Sequence, residues 1–450
     1  MNPTVFREYD VRGVVGTELT EEFVYDLGRA IGTYGSRRGT TTMTTGRDCR
    51  LSSDMFHNAI MRGIAATGVN VIDVGLCPTP LLYYSIRHLE TSGGVMITGS
   101  HNPPEFNGFK ICIGPDTIFG DQIQELRTIM EADGYLSGSG TLRTENIIPS
   151  YYDHIFNNVT VKPGLKVVVD GGNGVGGYFA LPLLERFGCD VTALYCDMDG
   201  RFPHHHPDPT IVEHLTEIIS IVKQQKADVG IAFDGDADRI VIITDAGKIL
   251  LGDELLMLFS RFVLKEHPGA TVVGEVKSSQ RLFDDITSHG GHAIMWKAGH
   301  SLIKDKLRKE NAVLAGEVSG HLFFADRHFG YDDAIYASAR LLEVLSMTGE
   351  KISSILSDVP SSFTTPDIRI DCPDEIKFHV VESVRNHFRR EYEVVDIDGA
   401  RIRFDNGWGL VRASNTQPQL VMRFEAWTDE ELQAIMTLVK NVVHGTMKNM

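Results

Sequence analysis

The chain has 450 residues, of which 42% are hydrophobic and 23% charged, and its formal net charge is −17. That length exceeds what a single hydrophobic core usually organises, so we expect two to four domains. The acidic balance argues against nucleic acid as a general partner, and no apolar run reaches the roughly 18–20 residues that a membrane span needs, so we expect no membrane partner.

The chain begins MNPTVFREYD, where no basic segment precedes an apolar core, so we expect no secretory signal. Its six cysteines are scattered and form no C-x-x-C pair. This pattern is typical of reduced thiols rather than of a disulfide framework or a zinc site. We therefore expect a cytoplasmic protein.

Apolar runs that stop at a polar loop and give way to a helical pattern recur along the chain. They lie at 166–177, 227–239 and 270–282, with a weaker example at 41–53. Strands that alternate with helices indicate α/β layers, with ligand groups at the carboxyl ends of the strands. Linkers are predicted at 137–141, near Gly252 and at 358–367, where the pattern breaks.

The first motif is TGSHNPPEFNGFK at 98–110, which continues the apolar run GGVMI and presents Ser100 at a strand end. Serine is a weak nucleophile at neutral pH and needs activation by charge or by a base. His101 is a candidate proton carrier and Lys110 a candidate partner for phosphate charge. The alternative interpretation is a tight turn capped by Ser and Asn, which such residues favour.

A glycine-rich turn follows the strand at 166–170. Gly172, Gly174 and Gly177 satisfy G-x-G-x-x-G, and Asp197 lies 20 residues beyond Gly177. Any glycine-rich turn between a strand and a helix can match this pattern by chance, so dinucleotide binding is the weaker interpretation. The histidine run at 204–206 has prolines on both sides, and we interpret it as a loop rather than as a set of metal ligands.

The acidic turn DGDADR at 234–239 carries carboxylates at alternate positions, which supplies the hard oxygen ligands that Mg²⁺ prefers. An EF-hand requires Gly at loop position 6 and Glu at position 12, but Arg239 and Asp245 stand there, which excludes a calcium loop of that kind. The alternative is a solvated acidic turn. Apolar flanks on both sides bury its base and favour the metal interpretation.

Two further polar segments follow. GEVSGH at 316–321 offers a carboxylate, a hydroxyl and an imidazole that suit neighbouring sugar hydroxyls, although a plain polar turn fits equally. RASNTQP at 412–418 combines an arginine with hydroxyl and amide groups before the apolar run QLVMRF. An arginine there suits a phosphate because its guanidinium donates two parallel hydrogen bonds, and a turn or helix cap is the alternative.

Taken together, these segments resemble the α-D-phosphohexomutase superfamily. FREYDVRG at 6–13 matches its N-terminal signature, TGSHNP its phosphoserine loop and DGDADR its metal loop. GEVSGH matches its sugar-recognition loop and RASNTQP its phosphate-binding loop, in the expected order. The form of GEVSGH is most similar to the phosphomannomutase/phosphoglucomutase branch, and DVRG in place of the commoner DIRG is the one small departure.

The resemblance implies four domains around a central cleft: three similar α/β/α domains and a smaller C-terminal α+β domain. We place them at 1–147, 148–252, 253–363 and 364–450.

The resemblance also implies roles for individual residues. Ser100 would carry the phosphate and, with Asp234, Asp236 and Asp238, would contact Mg²⁺. Charge stabilisation and proton transfer would fall to Arg12, Lys110 and His300. The residues expected to contact the substrate are Tyr9, His101, Arg239, Lys277, Glu317, Ser319, His321, Arg412, Ser414, Asn415 and Thr416.

The implied activity is interconversion of hexose 6-phosphate and hexose 1-phosphate, with mannose, glucose or both as the sugar. A hexose 1,6-bisphosphate would be the intermediate or activator and would reorient in the cleft. The alternatives are a phosphoglucosamine mutase, a sugar phosphatase, and a sensor that binds sugar phosphate without turnover. We expect small sugar phosphates as partners and a monomer or small homo-oligomer.

Overall fold

The computed structural model describes residues 2–414 and 417–448, which form four sheets in succession along the chain. We call each sheet with its helices a unit. Short 3₁₀ helices lie at Pro3–Val5 and Val212–Leu215.

The first unit contains a seven-stranded sheet. Its strands are β1 (Val11–Val14), β2 (Thr42–Arg47), β3 (Asn70–Leu76), β4 (Gly93–Ile97), β5 (Phe106–Ile113), β6 (Asp116–Thr117) and β7 (Leu142–Thr144). Its helices are α1 (Glu21–Ser36), α2 (Ser53–Ala65), α3 (Thr79–His88) and α4 (Asp121–Glu131). Helix α1 begins where the Thr20 hydroxyl accepts a hydrogen bond from the Phe23 amide at 3.2 Å. Two glutamates in the first turn of α1 stabilise it, because their negative charges lie at the positive end of the helix dipole.

The second and third units repeat this design with shorter sheets. The second contains α5 (Ile148–Asn158), β8 (Lys166–Asp170), α6 (Val175–Arg186), β9 (Asp190–Leu194), α7 (Thr216–Gln225), β10 (Val229–Phe233), β11 (Ile240–Thr244) and β12 (Ile249–Leu250). The third contains α8 (Gly252–Glu266), β13 (Thr271–Glu275), α9 (Gln280–Ser288), β14 (His292–Trp296), α10 (His300–Lys309), β15 (Leu314–Gly316), β16 (Leu322–Phe324), α11 (Ala334–Thr348) and α12 (Ile352–Ile355).

The three units share one topological feature that positions the site. In each, a strand from the parallel part of the sheet is followed by an antiparallel neighbour: β4 by β5, β10 by β11, and β15 by β16. The connections are the serine loop (98–105), the acidic loop (234–239) and the Glu-His loop (317–321). Each therefore leaves the carboxyl end of a buried strand, where α/β sheets present their ligand groups.

The fourth unit is built differently, from an antiparallel sheet. It contains β17 (Phe363–Thr364), β18 (Ile368–Asp371), α13 (Asp374–Phe388), β19 (Glu393–Val395), β20 (Ala400–Phe404), β21 (Gly407–Ala413), β22 (Gln419–Ala426) and α14 (Asp429–Lys448). The segment at 358–367, predicted as a linker, includes the two-residue strand β17. The predicted fold class, three α/β units followed by a smaller α+β unit, is confirmed.

One large hydrophobic cluster is shared by the three α/β units, and the first unit has a further large cluster of its own. The fourth unit has a separate core, which contacts the third unit through a small cluster of Val276, Trp408 and Leu410. Leu82, Val169 and Phe259, from the first, second and third units, belong to the shared core and are fully buried. A buried polar contact joins two of these units: the Tyr151 hydroxyl donates to the Asp333 carboxylate at 2.9 Å, and the same carboxylate caps α11. The fourth unit can therefore be displaced at less cost in buried apolar surface than the other three.

Arg401 of β20 anchors the fourth unit to the third. Its side chain is fully buried and donates to the carbonyl oxygens of Val276 and Ser278 at 2.6 and 2.9 Å. Its guanidinium carbon lies 3.9 Å from the ring centroid of Trp408. Burial lowers the pKa of Arg401 to about 9, but the guanidinium stays charged at neutral pH because backbone carbonyls and an aromatic face replace its water.

No helix within residues 2–414 and 417–448 is both long and apolar enough to cross a membrane. The predicted domain boundary after residue 147 lies directly before α5, whereas those after residues 252 and 363 lie within α8 and β17, each one residue from the start of the element. All three boundaries stay predictions.

We predict that Arg401→Ala lowers the free energy of unfolding by about 2–4 kcal/mol, because two buried carbonyl oxygens lose their donors. Urea denaturation followed by tryptophan fluorescence measures this loss. Arg403→Ala is the matched control: Arg403 lies two residues along the same strand, and its half-exposed side chain pairs with Glu393. That control should change stability by no more than about 1 kcal/mol, and an equal loss in both variants would contradict the anchoring role.

Candidate active site

The serine loop and the acidic loop meet at the contact between the first and second units. Ser100 Oγ lies 3.0 Å from Asp234 Oδ2, and both side chains are buried. The His101 imidazole lies on the other side of the hydroxyl, with Nδ1 at 3.2 Å from Oγ. The sequence predicts a serine beside an acidic triad, and the two loops lie in that arrangement.

The backbone at Ser100 is held in an unusual conformation. Its φ is +48°, in the left-handed region that non-glycine residues rarely adopt, which costs of order 1–3 kcal/mol. The fully buried Arg50 side chain holds it there by donating to three carbonyl oxygens of the loop and to one at the start of β5. These are the carbonyls of Ser100 (2.8 Å), Asn102 (2.5 Å), Pro103 (2.7 Å) and Phe106 (2.9 Å).

Gly235 allows the two loops to approach each other. A Cβ atom at this position would lie 2.3 Å from the Ser100 carbonyl oxygen, which is well inside van der Waals contact. Every residue other than glycine would therefore push the acidic loop away from the serine.

Three buried carboxylates form the floor of the site. Asp234, Asp236 and Asp238 have no exposed surface, and one oxygen from each lies within 4.8 Å of the others. Cations from two units offset their charge: Lys110 pairs with Asp236 at 2.7 Å and with Asp238, and Arg239 pairs with Asp234 at 2.9 Å. Charges buried this closely repel one another unless such partners are present.

The carboxylates have different proton affinities. Burial raises the pKa of Asp234 to about 8, with the charges of Asp236 and Asp238 adding to the effect and Arg239 opposing it. Burial also opposes ionisation of Asp238, but the charges of Lys110 and His321 hold its pKa well below its usual range. One carboxylate next to Ser100 is thus easily protonated, and another stays ionised.

The residues present fit a divalent cation. Buried oxygens normally have hydrogen-bond partners, yet Asp236 Oδ1 and Asp238 Oδ1 make no hydrogen bond to any described residue. His321 Nε2 lies 3.4 Å from the latter oxygen. Carboxylate oxygens left without donors, beside a serine hydroxyl, are the hard ligands that Mg²⁺ takes.

The third unit contributes imidazoles to the same cavity. His321 Nδ1 lies 2.8 Å from Glu317 Oε2 and 3.1 Å from Ser319 Oγ, and its partners Asp238 and Glu317 raise its pKa to about 10 although burial opposes the charge. His300 begins α10, and burial, with the charges of Lys304 and Lys110, lowers its pKa well below the usual value. The third unit therefore contributes one charged and one neutral imidazole to the site.

Predicted residues near the fourth unit are held by carboxylates. Arg412 Nη2 lies 3.0 Å from Asp398 Oδ2, and the same oxygen accepts a hydrogen bond from the Ala298 amide. The Tyr9 hydroxyl donates a hydrogen bond to the carbonyl oxygen of Ala298. Lys277 Nζ lies 3.4 Å from Asp367 Oδ2. Ser414 is buried, and its carbonyl oxygen accepts a hydrogen bond from Lys377 at 2.6 Å. Asn415 and Thr416 lie outside the described residues.

A cleft with a volume of about 890 Å³ opens above the acidic floor, and residues from all four units line it. Predicted residues among its lining are Tyr9, Arg12, Ser100, His101, Lys110, Asp238, Arg239, His300 and His321. Asp234 and Asp236 lie beneath this surface. Glu317 and Ser319 contact His321 at its edge, whereas Lys277, Arg412 and Ser414 are not part of its described lining.

Several residues around the cleft are not among the predicted site residues. Arg50 is 50 residues from the loop that it holds, and Asp10 pairs with Arg12 at 2.6 Å. Asp208 lies 3.5 Å from Arg239 Nη1. The histidine run at 204–206 is a loop as predicted, but its last member, His206, lines the cleft.

The glycine-rich turn at 171–174 packs against the acidic loop. A Cβ atom at Gly174 would lie 2.6 Å from the Gly235 carbonyl oxygen, and one at Gly177 would lie 2.6 Å from Cys196 Sγ. These glycines are needed for close backbone packing, which supports the interpretation of this motif as a structural turn.

Four models of one protein family match successive parts of the chain. They are the α/β/α domains I, II and III and the C-terminal domain of phosphoglucomutase/phosphomannomutase, and they match residues 3–136, 149–247, 251–363 and 368–442.

Relatives match nearly the whole chain. The phosphomannomutase/phosphoglucomutase of Pseudomonas aeruginosa is 46% identical over 439 residues, which cover 97% of this chain and 95% of that protein. The phosphoglucomutase of Neisseria gonorrhoeae is 44% identical over 446 residues, 98% of this chain and 97% of that protein. The crystal structure of a phosphoglucomutase/phosphomannomutase family protein from Burkholderia thailandensis superimposes with a TM-score of 0.94 at 38% identity, covering 99% of this chain and 98% of that one.

We predict that Gly235→Ala lowers the free energy of unfolding by about 1–3 kcal/mol, because the added methyl group collides with the backbone of the serine loop. Gly445→Ala is the control, since a Cβ atom there meets nothing within 4 Å on the exposed side of α14. Urea denaturation should show no loss for that variant and a gain of up to ~1 kcal/mol. If Gly235→Ala matched the control, the two loops would not be in the close contact described.

Proposed function

The chain belongs to the phosphoglucomutase/phosphomannomutase family and is a phosphohexomutase, and we propose that Ser100, in its phosphorylated form, is the group that gives and receives the phosphoryl. The observation that carries this proposal is the distance of 3.0 Å between Ser100 Oγ and Asp234 Oδ2, at the floor of a cleft lined by all four units.

The reaction consists of two phosphoryl transfers through the same oxygen. In the first, the bond between phosphorus and Ser100 Oγ breaks while the free hydroxyl of a hexose monophosphate forms a new bond to phosphorus. The product is a hexose 1,6-bisphosphate, which turns end over end in the cleft. In the second, Ser100 Oγ takes the other phosphoryl group, and the isomeric monophosphate leaves. Charge neutralisation and positioning supply most of the rate in reactions of this class.

The hydroxyl proton of the sugar passes to a residue of the chain in the first transfer. Lys110 and His300 both line the cleft. His300 is the better acceptor, since burial keeps its imidazole neutral at neutral pH, whereas Lys110 is engaged in ion pairs with two carboxylates. The Arg12 guanidinium contacts the serine loop by donating a hydrogen bond to Asn102 Oδ1 at 2.7 Å. Its positive charge offsets negative charge that develops on the transferred phosphoryl group.

Asp234, Asp236 and Asp238 would hold Mg²⁺, with the phosphorylated Ser100 as a further oxygen ligand. When bound, the cation neutralises charge on the phosphoryl oxygens. The chain's own contribution is to keep the carboxylates dry, with two oxygens free of hydrogen-bond donors.

The remaining residues bind the substrate. Glu317 and Ser319 accept and donate hydrogen bonds with sugar hydroxyls, while Tyr9, His101, Arg239, Lys277 and His321 surround the sugar. Arg412 and Ser414, with Asn415 and Thr416, bind the phosphate distant from Ser100. Because this loop belongs to a unit with its own core, it can release one end of the sugar and take the other.

We expect Ser100→Ala to lower mutase turnover at least ~1,000-fold, because the phosphoryl acceptor is removed, while glucose 6-phosphate still binds. A coupled assay for net isomerisation and titration calorimetry measure the two quantities. Ser139→Ala, in an exposed loop, is the control and should keep full activity. Wild-type turnover in Ser100→Ala would remove this serine from the mechanism, and release of free phosphate by the unmodified chain would indicate a phosphatase instead.

Asp236→Asn should lower turnover roughly 100-fold or more and raise the Mg²⁺ concentration needed for half-maximal activity, because one anionic ligand becomes neutral. Asp396→Asn, on the surface of the fourth unit, is the matched control. Activity measured against MgCl₂ concentration separates the two variants. An unchanged Mg²⁺ dependence in Asp236→Asn would contradict the ligand role.

A further inference from the structure

Arg369 lies at the rim of the cleft, on strand β18 of the fourth unit. The strand pairs antiparallel with β22, and its neighbours Ile368 and Ile370 pack against the core of that unit. Arg369 points the other way, is exposed, and lines the cleft together with Gln417. Because side chains alternate along a strand, the Arg369 guanidinium lies on the face of β18 that lines the cleft.

Among the described residues no carboxylate forms an ion pair with Arg369. Although burial opposes ionisation of Asp367, the charge of Arg369, with those of Lys277 and Arg423, helps to lower the pKa of that carboxyl. Each cation to which the mechanism assigns a role has an acid within ion-pair distance: Arg12 has Asp10, Arg239 has Asp234. The same holds for Lys110, Lys277 and Arg412. For Arg369 no carboxylate oxygen of residues 2–414 or 417–448 lies within 4.0 Å, and its described hydrogen bond is to the amide oxygen Oε1 of Gln417 at 3.5 Å.

The neighbours of Arg369 place it beside the predicted phosphate-binding loop. Gln417 belongs to RASNTQP, and Lys377 fixes that loop by donating to the carbonyl oxygens of Ser414 and Gln417 at 2.6 and 3.1 Å. Asp367, two residues before Arg369, is directed to Lys277 instead. The guanidinium is therefore held at the cleft side of the loop by a weak neutral contact that an anion can replace.

We propose that Arg369 is a phosphate-binding residue that contacts the phosphate distant from Ser100, beside Arg412, and so retains the bisphosphate while it reorients. This inference rests on the proposed function. A hexose bisphosphate carries about four negative charges at neutral pH, and an arginine without a competing carboxylate offers it two parallel charged hydrogen bonds. Because the proposed contact is to the phosphate alone, it serves either orientation of the sugar.

The first test compares steady-state kinetics of Arg369→Gln and Arg369→Lys with those of Arg403→Gln. Arg403 is an exposed arginine of the same unit that pairs with Glu393 away from the cleft. We expect Arg369→Gln to raise KM for glucose 1-phosphate about 10- to 100-fold with a much smaller change in kcat at saturation. Arg369→Lys should recover part of the loss, and Arg403→Gln should behave as wild type. Equal KM values for Arg369→Gln and Arg403→Gln would overturn the proposal.

The second test concerns retention of the intermediate. If Arg369 holds the bisphosphate, Arg369→Gln releases it more often, so the variant should need about tenfold more added glucose 1,6-bisphosphate for full activity. An unchanged requirement would overturn that part of the proposal.

A binding measurement keeps the inference separate from the proposed function. Calorimetric titration of glucose 6-phosphate into Ser100→Ala and into Ser100→Ala/Arg369→Gln requires no turnover, and the double variant should bind about 10- to 100-fold more weakly. Near-ultraviolet circular dichroism checks that both variants are folded. Equal affinities in the two variants would overturn the role of Arg369 even if the mutase activity is confirmed. If the wild-type enzyme were inactive but the affinity difference were found, only the proposed mutase activity would be refuted.

Discussion

Burial of three carboxylates within a few ångströms of one another is the constraint on which the rest of this structure depends. Asp234, Asp236 and Asp238 can stay in a dry site only if cations neutralise them. Lys110 comes from the first unit, Arg239 from the second and His321 from the third. Charge compensation therefore joins three units at one point, and the same point is where Ser100 meets the acidic loop.

A repeated piece of topology makes this convergence possible. In each α/β unit the functional loop joins a buried parallel strand to its antiparallel neighbour, so the serine loop, the acidic loop and the Glu-His loop occupy equivalent positions in three different sheets. A backbone bridge between Arg239 and His321 joins the second loop directly to the third. In the fourth unit the predicted phosphate-binding segment likewise connects two neighbouring strands, β21 and β22, although the whole sheet is antiparallel and the core is separate.

Much of this arrangement could be predicted from local patterns. The apolar runs before Ser100 and Asp234 are strands because they alternate with polar loops and helical segments, and alternating carboxylates in a loop with buried flanks indicate a metal site. Arg50 could not be predicted, since it lies 50 residues from the loop whose carbonyls it binds. Asp208 and Arg369 could not be predicted either, because an isolated charged residue has the same appearance in a sequence whether it faces a cleft or the solvent.

The amino-acid sequence by itself determined the elements, the chemistry of each loop and, through the resemblance of five motifs in order, the superfamily. These are properties of short segments, which depend on the spacing of apolar residues and on the side chains within a few positions. Tertiary structure decided how the loops face one another, which cations neutralise the buried acids, and which charged side chains line the cleft. Many of those outcomes depend on contacts between residues far apart along the chain, such as Ser100 with Asp234 and Asp238 with His321. Desolvation and ion pairing act on distance in space rather than along the chain.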